Sequence, residues 1–311
     1  MKVLSLFDGI SCGMVALERA GIHIEKYVAY EIEENAIAIS KKNYPQIEHC
    51  GDVTQADFAQ YKGFDLIIAG FPCQDLSINK ANRQGLKGKR SGLFWEAVRA
   101  IEEVHPKYFL IENNYKMPDE DMQTISETLG VQPILIDSST VSAQQRKRLY
   151  WTNIPGIVQP NDKNIHIVDI IENATAENLI NETKFNGKEH SQERTNKPLR
   201  VGTIGKGGQG ERVYSTYGKT VTLTANGGGR GAKTGLYLIN GAVRKLTTLE
   251  AERAQTLPDN YTFVEGIRDS KRYQSIGNGW TVDVIAYIFS FLPKNTRERE
   301  NLFKKIFKPG K

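Results

Sequence analysis

Residues 64–77 of the chain read Phe-Asp-Leu-Ile-Ile-Ala-Gly-Phe-Pro-Cys-Gln-Asp-Leu-Ser. The apolar run at 64–69 predicts a buried strand, and Gly70-Phe-Pro-Cys73 follows at its carboxyl end, where open α/β sheets bind their ligands. Pro72 fixes its own φ and favours an extended conformation for Phe71, which restricts the direction of the Cys73 thiol. On this segment alone, a structural buried cysteine is the commoner outcome and a covalent nucleophile is the alternative.

The first half of the chain alternates strand-like and helix-like segments. Strands are predicted at 3–7, 27–31, 64–70, 108–112 and 131–137, and helices at 11–20, 33–43, 93–104 and 119–129. This alternation predicts an α/β fold with a doubly wound, mostly parallel, Rossmann-like sheet.

The composition changes after about Pro155. Residues 200–238 combine β-branched residues with dense glycine, which predicts a small inserted β-rich module. Helical patterns return at 246–255 and 282–292, so the end of the chain is expected to rejoin the first domain. The predicted boundaries are 1–160 for the catalytic domain, 161–247 for the inserted domain, 248–277 for a hinge and 278–311 for the returning segment.

Composition, cysteine spacing and charge limit the classes of protein to which the chain can belong. The 311 residues are 39% hydrophobic and 25% charged, as in soluble globular enzymes. No apolar run approaches the ~20 residues that span a bilayer, and the N-terminus does not resemble a signal peptide, so a cytoplasmic protein is expected. Three separated cysteines without a CxxC pair support neither a disulfide framework nor a zinc site, and no metal is predicted. The net charge of +5 resides in the tail from 294 to 311, so it does not by itself indicate a nucleic-acid partner.

A glycine-containing loop and two acids in the first 52 residues together favour a cofactor that contains a nucleoside. The loop Phe7-Asp-Gly-Ile-Ser-Cys-Gly13 lets a ligand approach the first helix. Glu31 ends the second strand, where a carboxylate can accept from ribose hydroxyls, and Asp52 could accept from an adenine amino group. These features do not separate NAD from S-adenosylmethionine, but hydride transfer has no use for a thiolate at the switch point.

Four further segments accompany Cys73 in order along the chain. They are Ile111-Glu-Asn-Asn114, Gln144-Gln-Arg-Lys-Arg148, Arg244-Lys-Leu-Thr-Thr-Leu-Glu-Ala-Glu-Arg-Ala-Gln255 and Gln274-Ser-Ile-Gly-Asn278. With Pro72-Cys-Gln74, this ordered set resembles the C5-cytosine DNA methyltransferases over about 1–155 and 200–292. The resemblance implies transfer of a methyl group from S-adenosylmethionine to C5 of a flipped-out cytosine in double-stranded DNA.

The resemblance also implies catalytic roles. Cys73 would add to C6 of cytosine, and Glu112 would hydrogen-bond N3 and the exocyclic amine. Arg148 would hold O2, and Arg146 would orient Glu112 and the base. Asn114 replaces the usual valine and Gly279-Trp280 the common Ser-Val, and these details look closer to the de novo methyltransferases of animals.

On the cofactor side the resemblance implies a set of contacts to adenine, ribose and the methionine part. The expected residues are Phe7, Gly9, Glu31, Ile32, Asp52, Val53, Pro72, Leu93, Asn278 and Gly279.

Two glycine loops, at 205–210 and 226–231, suit close approach to DNA. They resemble the recognition loops of family members that read GCGC. On that likeness Gln209 would enter the vacated base stack and Arg212 would read a guanine. Further DNA contacts are expected from Ser77, Thr222, Asn226 and Gly229, although Asn226 and Arg230 depart from the aromatic and apolar residues of those members.

The expected partner is double-stranded DNA, not a membrane, and the chain is expected to act as a monomer, with any cognate restriction endonuclease acting separately. A DNA-binding protein that has lost catalysis and a tRNA cytosine-5 methyltransferase are the alternatives; an NAD oxidoreductase is a remote one.

Overall fold

The computed structural model describes residues 1–72, 86, 88, 91–172, 179–180, 184–188, 192–227 and 229–293. Cys73, Ser77 and the basic tail from 294 to 311 lie outside the described residues.

Within this part of the chain, seven strands form a large sheet. They are β1 (Lys2–Leu6), β2 (Lys26–Tyr30), β3 (Glu48–His49), β4 (Leu66–Ala69), β5 (Tyr108–Asn114), β6 (Ile134–Asp137) and β7 (Lys147–Thr152). Their order across the sheet is β3-β2-β1-β4-β5-β7-β6, and β7 alone runs antiparallel to its neighbours. The chain reverses its direction of travel across the sheet between β1 and β4, which makes their carboxyl ends the expected ligand crevice.

Helices cover both faces of this sheet. They are α1 (Cys12–Arg19), α2 (Glu34–Asn43), α3 (Phe94–Val104), α4 (Asp119–Leu129), α5 (Thr248–Ala254), α6 (Asp269–Asn278) and α7 (Val282–Phe289). One apolar cluster joins the sheet to α1, α2 and α7, and a second joins it to α3 and α4. The chain therefore does return to the first sheet, where Arg19 of α1 pairs with Asp283 of α7 at 2.8 Å. The predicted α/β, doubly wound fold is confirmed.

A second, smaller sheet follows. Its strands are β8 (Asn186–Gly187), β9 (Arg200–Thr203), β10 (Arg212–Ser215), β11 (Leu236–Ile239) and β12 (Ala242–Arg244), in the order β12-β11-β10-β9-β8. Inward-facing Val201, Val213, Leu236 and Val243 form its core with Ile204. The β-rich composition of this region is thus expressed as a separate sheet.

Among the described residues, no helix is both long enough and apolar enough to cross a membrane.

The sequence pattern predicts neither β7 nor α6. The β7 strand begins with the charged Lys147 and Arg148, which hides the apolar run that follows them. The α6 helix is polar, and of its residues only Arg272, Ile276 and Gly277 are buried. Both elements nevertheless carry residues of the candidate site.

Candidate active site

The loop after β1 has an unusual backbone. Phe7 and Ser11 adopt positive φ angles of 58° and 60°, and Gly9 lies between them at 59°. Left-handed conformations are uncommon for residues other than glycine and tend to occur at functional sites. The loop bends sharply at the carboxyl end of the first strand, where a ligand can approach the backbone.

Glu31, just beyond the end of β2, is anchored to that loop. One carboxylate oxygen accepts from the backbone N–H of Gly9 at 2.8 Å, and the other accepts from Ile32 and Glu33 at 2.8 and 2.9 Å. The carboxylate is therefore oriented at the crevice before any ligand binds, with lone pairs left to accept from hydroxyl groups.

A cleft of about 340 Å³, open solvent included, lies at the switch point. Phe7, Gly9, Asn278, Gly279 and Trp280 line it, so the first loop and the end of α6 meet across it. The structure thus brings together cofactor candidates that are separated by about 270 residues in sequence.

The remaining cofactor candidates are not among the residues that line this cleft. Ile32 is an apolar side chain with 69% of its surface exposed, whereas Val53 is buried in the core. Asp52 is exposed and caps a short 3-10 turn by accepting from the backbone N–H of Thr54 at 2.9 Å. Leu93, directly before α3, is half-buried in the apolar cluster that also contains Phe7 and Val53.

Both carboxylate oxygens of Glu112, on β5, have a side-chain partner. Its side chain is nearly buried, with the residue 8% exposed. Arg148 Nε lies 2.8 Å from one carboxylate oxygen, and the Trp280 indole N–H donates to the other at 2.9 Å. The close contact with Glu112 is made by Arg148, the residue that the resemblance assigns to cytosine O2.

The next residue, Asn113, ties β5 to the segment that precedes Cys73. Its side-chain amide donates to the backbone carbonyl of Phe71 at 3.0 Å, and the side chain is buried. A methyl group on Gly70 would fall 3.2 Å from a carboxylate oxygen of Glu112. The β4 and β5 ends therefore lie in contact, and the half-buried Pro72 is the last described residue before Cys73.

Arg146 joins three parts of the chain. Its guanidinium donates to the carbonyl of Leu223 at 3.0 Å and to those of Gly277 and Gly279 at 3.1 Å each. It thereby holds the segment that leads to the second glycine loop against the end of α6.

Two buried glutamines reinforce the same junction. The side-chain N–H of Gln144 donates to the side-chain oxygen of Gln255 at 2.8 Å. The side-chain oxygen of Gln144 accepts from the backbone N–H of Leu223, also at 2.8 Å. Gln255 in turn donates to the carbonyls of Ile276 and Gly279. The glutamines of the two motifs are structural, which residue type alone could not reveal.

The rest of the long motif at 244–255 builds the start of α5. Arg244 and Glu250 form a bidentate ion pair, with both bonds at 2.7 Å, and their side chains are 1% and 0% exposed. Thr247 caps the helix in a reciprocal capping box with Glu250. This pair fixes the connection between the small sheet and the returning helices.

The two glycine loops of the small sheet are joined to each other. The Gly231 N–H donates to the Gly210 carbonyl at 2.7 Å. Gln209, Arg212, Asn226 and Gly229 are all exposed. The Thr222 hydroxyl donates to the backbone carbonyl of Gln145 at 2.7 Å. The segment before the second glycine loop is therefore held against the residues that lead into β7.

Two of the three cysteines are described. Cys12 is buried in α1, and burial raises the pKa of its thiol to about 12, which makes a thiolate unfavourable at neutral pH. Cys50 follows the edge strand β3 and is half-buried.

Gly277 lies where α6 packs against the segment that leads to the second glycine loop. A Cβ atom there would fall 2.4 Å from the backbone carbon of Thr224 and 2.5 Å from the backbone nitrogen of Ala225. We expect Gly277→Ala to displace one of the two segments and to slow the methyl transfer that the sequence resemblance implies by about 100-fold, as small displacements of a site can. Rates of labelled methyl transfer measure this, with Lys271→Ala on the same helix as the control; equal rates for both variants would contradict it.

A glycine loop and an anchored acid at the ends of neighbouring parallel strands are typical of α/β proteins that bind a nucleoside-containing cofactor. Comparison with known protein families identifies one family within that class. The family model for C-5 cytosine-specific DNA methylases matches residues 1–294, and the chain belongs to this family of enzymes.

Similar proteins agree with the assignment. The Type II methyltransferase M.HhaI of Haemophilus parahaemolyticus is 30% identical over 93% of each chain. The Type II methyltransferase M1.ScrFI of Lactococcus lactis subsp. cremoris is 27% identical, over 91% of this chain and 76% of that protein. The structure of Entamoeba histolytica methyltransferase EhMeth, at 17% identity, has the same fold, with a TM-score of 0.74 over 99% of both chains.

Proposed function

We propose that this enzyme methylates the inner cytosine of GCGC, or of a closely related site, in double-stranded DNA through a covalent bond between Cys73 and C6. The main support for this proposal is the position of Glu112. Arg148 and Trp280 hold its carboxylate beside the segment that leads to Cys73 and next to the cleft. A fixed, nearly buried acid at this place can exchange a proton with a cytosine ring.

The proposed chemistry balances without a further reactant. The Cys73 thiolate forms a bond to C6, the C5=C6 electron pair moves to C4–C5, and the N3=C4 pair moves to N3. Glu112 supplies the proton that N3 takes up, and C5 becomes nucleophilic. Once C5 carries the methyl group, solvent water takes the C5 proton, the C5–H electron pair re-forms C5=C6, and the C6–S bond breaks to release the thiolate. N3 returns its proton to Glu112, which restores the aromatic ring and the acid.

The cleft residues fit the cofactor that the family implies. The anchored Glu31 carboxylate suits ribose hydroxyls, and the exposed Ile32 offers apolar surface beside it for a base. Gly9 leaves open space where a side chain would stand. When bound, S-adenosylmethionine supplies an electrophilic methyl group on a sulfonium centre. We propose Phe7, Val53, Asp52, Pro72, Leu93 and Asn278 as further contacts.

We propose residues 161–247 as the target-recognition domain. The joined glycine loops present Gln209, Arg212 and Asn226 on one exposed edge, and the Thr222 and Arg146 hydrogen bonds connect that edge to Glu112's surroundings. Arginine commonly reads guanine through paired hydrogen bonds. The chain is proposed to act as a monomer, with any cognate endonuclease a separate protein.

Bisulfite sequencing of plasmid DNA treated with the purified protein tests the site. We expect full conversion resistance at the inner cytosine of GCGC and background levels elsewhere. Methylation at sites with no common GCGC core would overturn the proposed specificity while leaving the chemistry in place. An untreated plasmid from a methylation-deficient host is the control.

A further inference from the structure

Trp280 makes a contact that none of the assigned roles requires. Its indole N–H lies 2.9 Å from the Glu112 carboxylate, and its ring forms part of the cleft wall. The indole nitrogen can only donate, and this single hydrogen bond goes to the acid that the proposed chemistry uses.

The backbone on both sides of Trp280 is held. The Gly279 carbonyl accepts from Arg146 and from Gln255, both at 3.1 Å. The next residue, Thr281, is buried and donates to the Gln255 side chain at 2.7 Å. The indole is thus carried on a rigid turn rather than on a free loop.

Gly70 provides the space that the contact needs. A Cβ atom at that position would fall 2.8 Å from the indole nitrogen of Trp280 and 3.2 Å from a Glu112 oxygen. The ring therefore crosses the end of β4 at closest packing and cannot move toward the strand.

We propose that Trp280 is a positioning residue that fixes the Glu112 carboxylate and stabilises the charge it acquires during adduct formation. This inference rests on the proposed function. When Glu112 gives its proton to N3, negative charge develops on a carboxylate whose two oxygens already face Arg148 and the indole N–H. Donors fixed in advance where charge develops lower the barrier without reorganisation.

The test compares Trp280→Phe, which keeps an aromatic ring and removes the N–H, with Trp151→Phe. Trp151 also donates a buried indole hydrogen bond, to Ser126 Oγ at 2.9 Å, but its side chain packs in the apolar cluster against α4. It therefore controls for the general cost of losing such a bond. The three readouts are the rate of covalent complex formation with duplex DNA carrying 5-fluorocytosine at the mapped target, the KM for DNA and the affinity for S-adenosylhomocysteine.

We expect Trp280→Phe to slow complex formation by about 10- to 100-fold, the range for a lost hydrogen bond to a charged group. The KM for DNA and the affinity for S-adenosylhomocysteine should stay within about threefold, a change worth under 1 kcal/mol. Trp151→Phe should react at the wild-type rate. Equal rates for wild type and Trp280→Phe would overturn the inference, as would a rate loss matched by an equal loss of S-adenosylhomocysteine affinity. A wild-type protein that forms no complex would instead overturn the proposed function.

Discussion

Replacing Cys73 with serine is expected to abolish methyl transfer to DNA, with a loss of at least about 10⁴-fold, as removal of a covalent nucleophile causes in other enzymes. The serine hydroxyl is nearly the same size but is hardly ionised at neutral pH, so it cannot add to C6 as a thiolate does. Affinity for S-adenosylhomocysteine should be unchanged, because the described walls of the cleft do not depend on this side chain. Labelled methyl transfer and calorimetric binding measure the two quantities.

Cys50→Ser is the matched control for this variant. Cys50 is half-buried beside the edge strand β3, and we assign it no role in the chemistry. The Cys50→Ser enzyme should retain its rate of methyl transfer within about twofold, since substitutions of this kind have small effects on stability. An active Cys73→Ser enzyme would refute Cys73 as the nucleophile.

The second large effect concerns the buried pair Arg244–Glu250. Arg244→Met should lower the free energy of unfolding by about 3–5 kcal/mol, because it leaves the carboxylate of Glu250 buried without its cation. Glu250 is fully buried and would keep only the backbone donors of Thr247 and Glu172. Guanidinium-induced unfolding measures the change, and Arg244→Lys, which retains the charge, should lose less.

Arg253→Met provides the comparison, since its partner Asp259 is half-exposed and the pair is accessible to solvent. Removing that pair should cost less than about 1 kcal/mol. If Arg244→Met and Arg253→Met lost the same small amount, the buried pair would not be the fixed connection described above.

The sequence predicted the parts of the fold that depend on local pattern. Alternating apolar runs located β1, β2, β4 and β5, although β5 continues two residues beyond the predicted end at Glu112. The predicted helix at 119–129 matches α4, Asp119–Leu129. Topology then follows from the general rules for parallel sheets, which bring the ends of these strands together.

The long-range contacts could not be predicted in this way. Arg146 reaches carbonyls 77 and 133 positions further along the chain, and no periodicity encodes such partners. The same holds for the bond between Trp280 and Glu112, which are 168 positions apart. Trp280 was visible in the sequence only as a departure from the usual family residue.

The identity of the methylated nucleoside tests directly whether the protein is a DNA cytosine-C5 methyltransferase. Purified protein is incubated with isotope-labelled S-adenosylmethionine and either duplex plasmid DNA or bulk tRNA, and the released nucleosides are identified by mass spectrometry. We expect labelled 5-methyl-2′-deoxycytidine from the DNA and no label in the tRNA. Label found only in tRNA, on adenine or on the exocyclic amine of cytosine, or absent from both substrates, would contradict it.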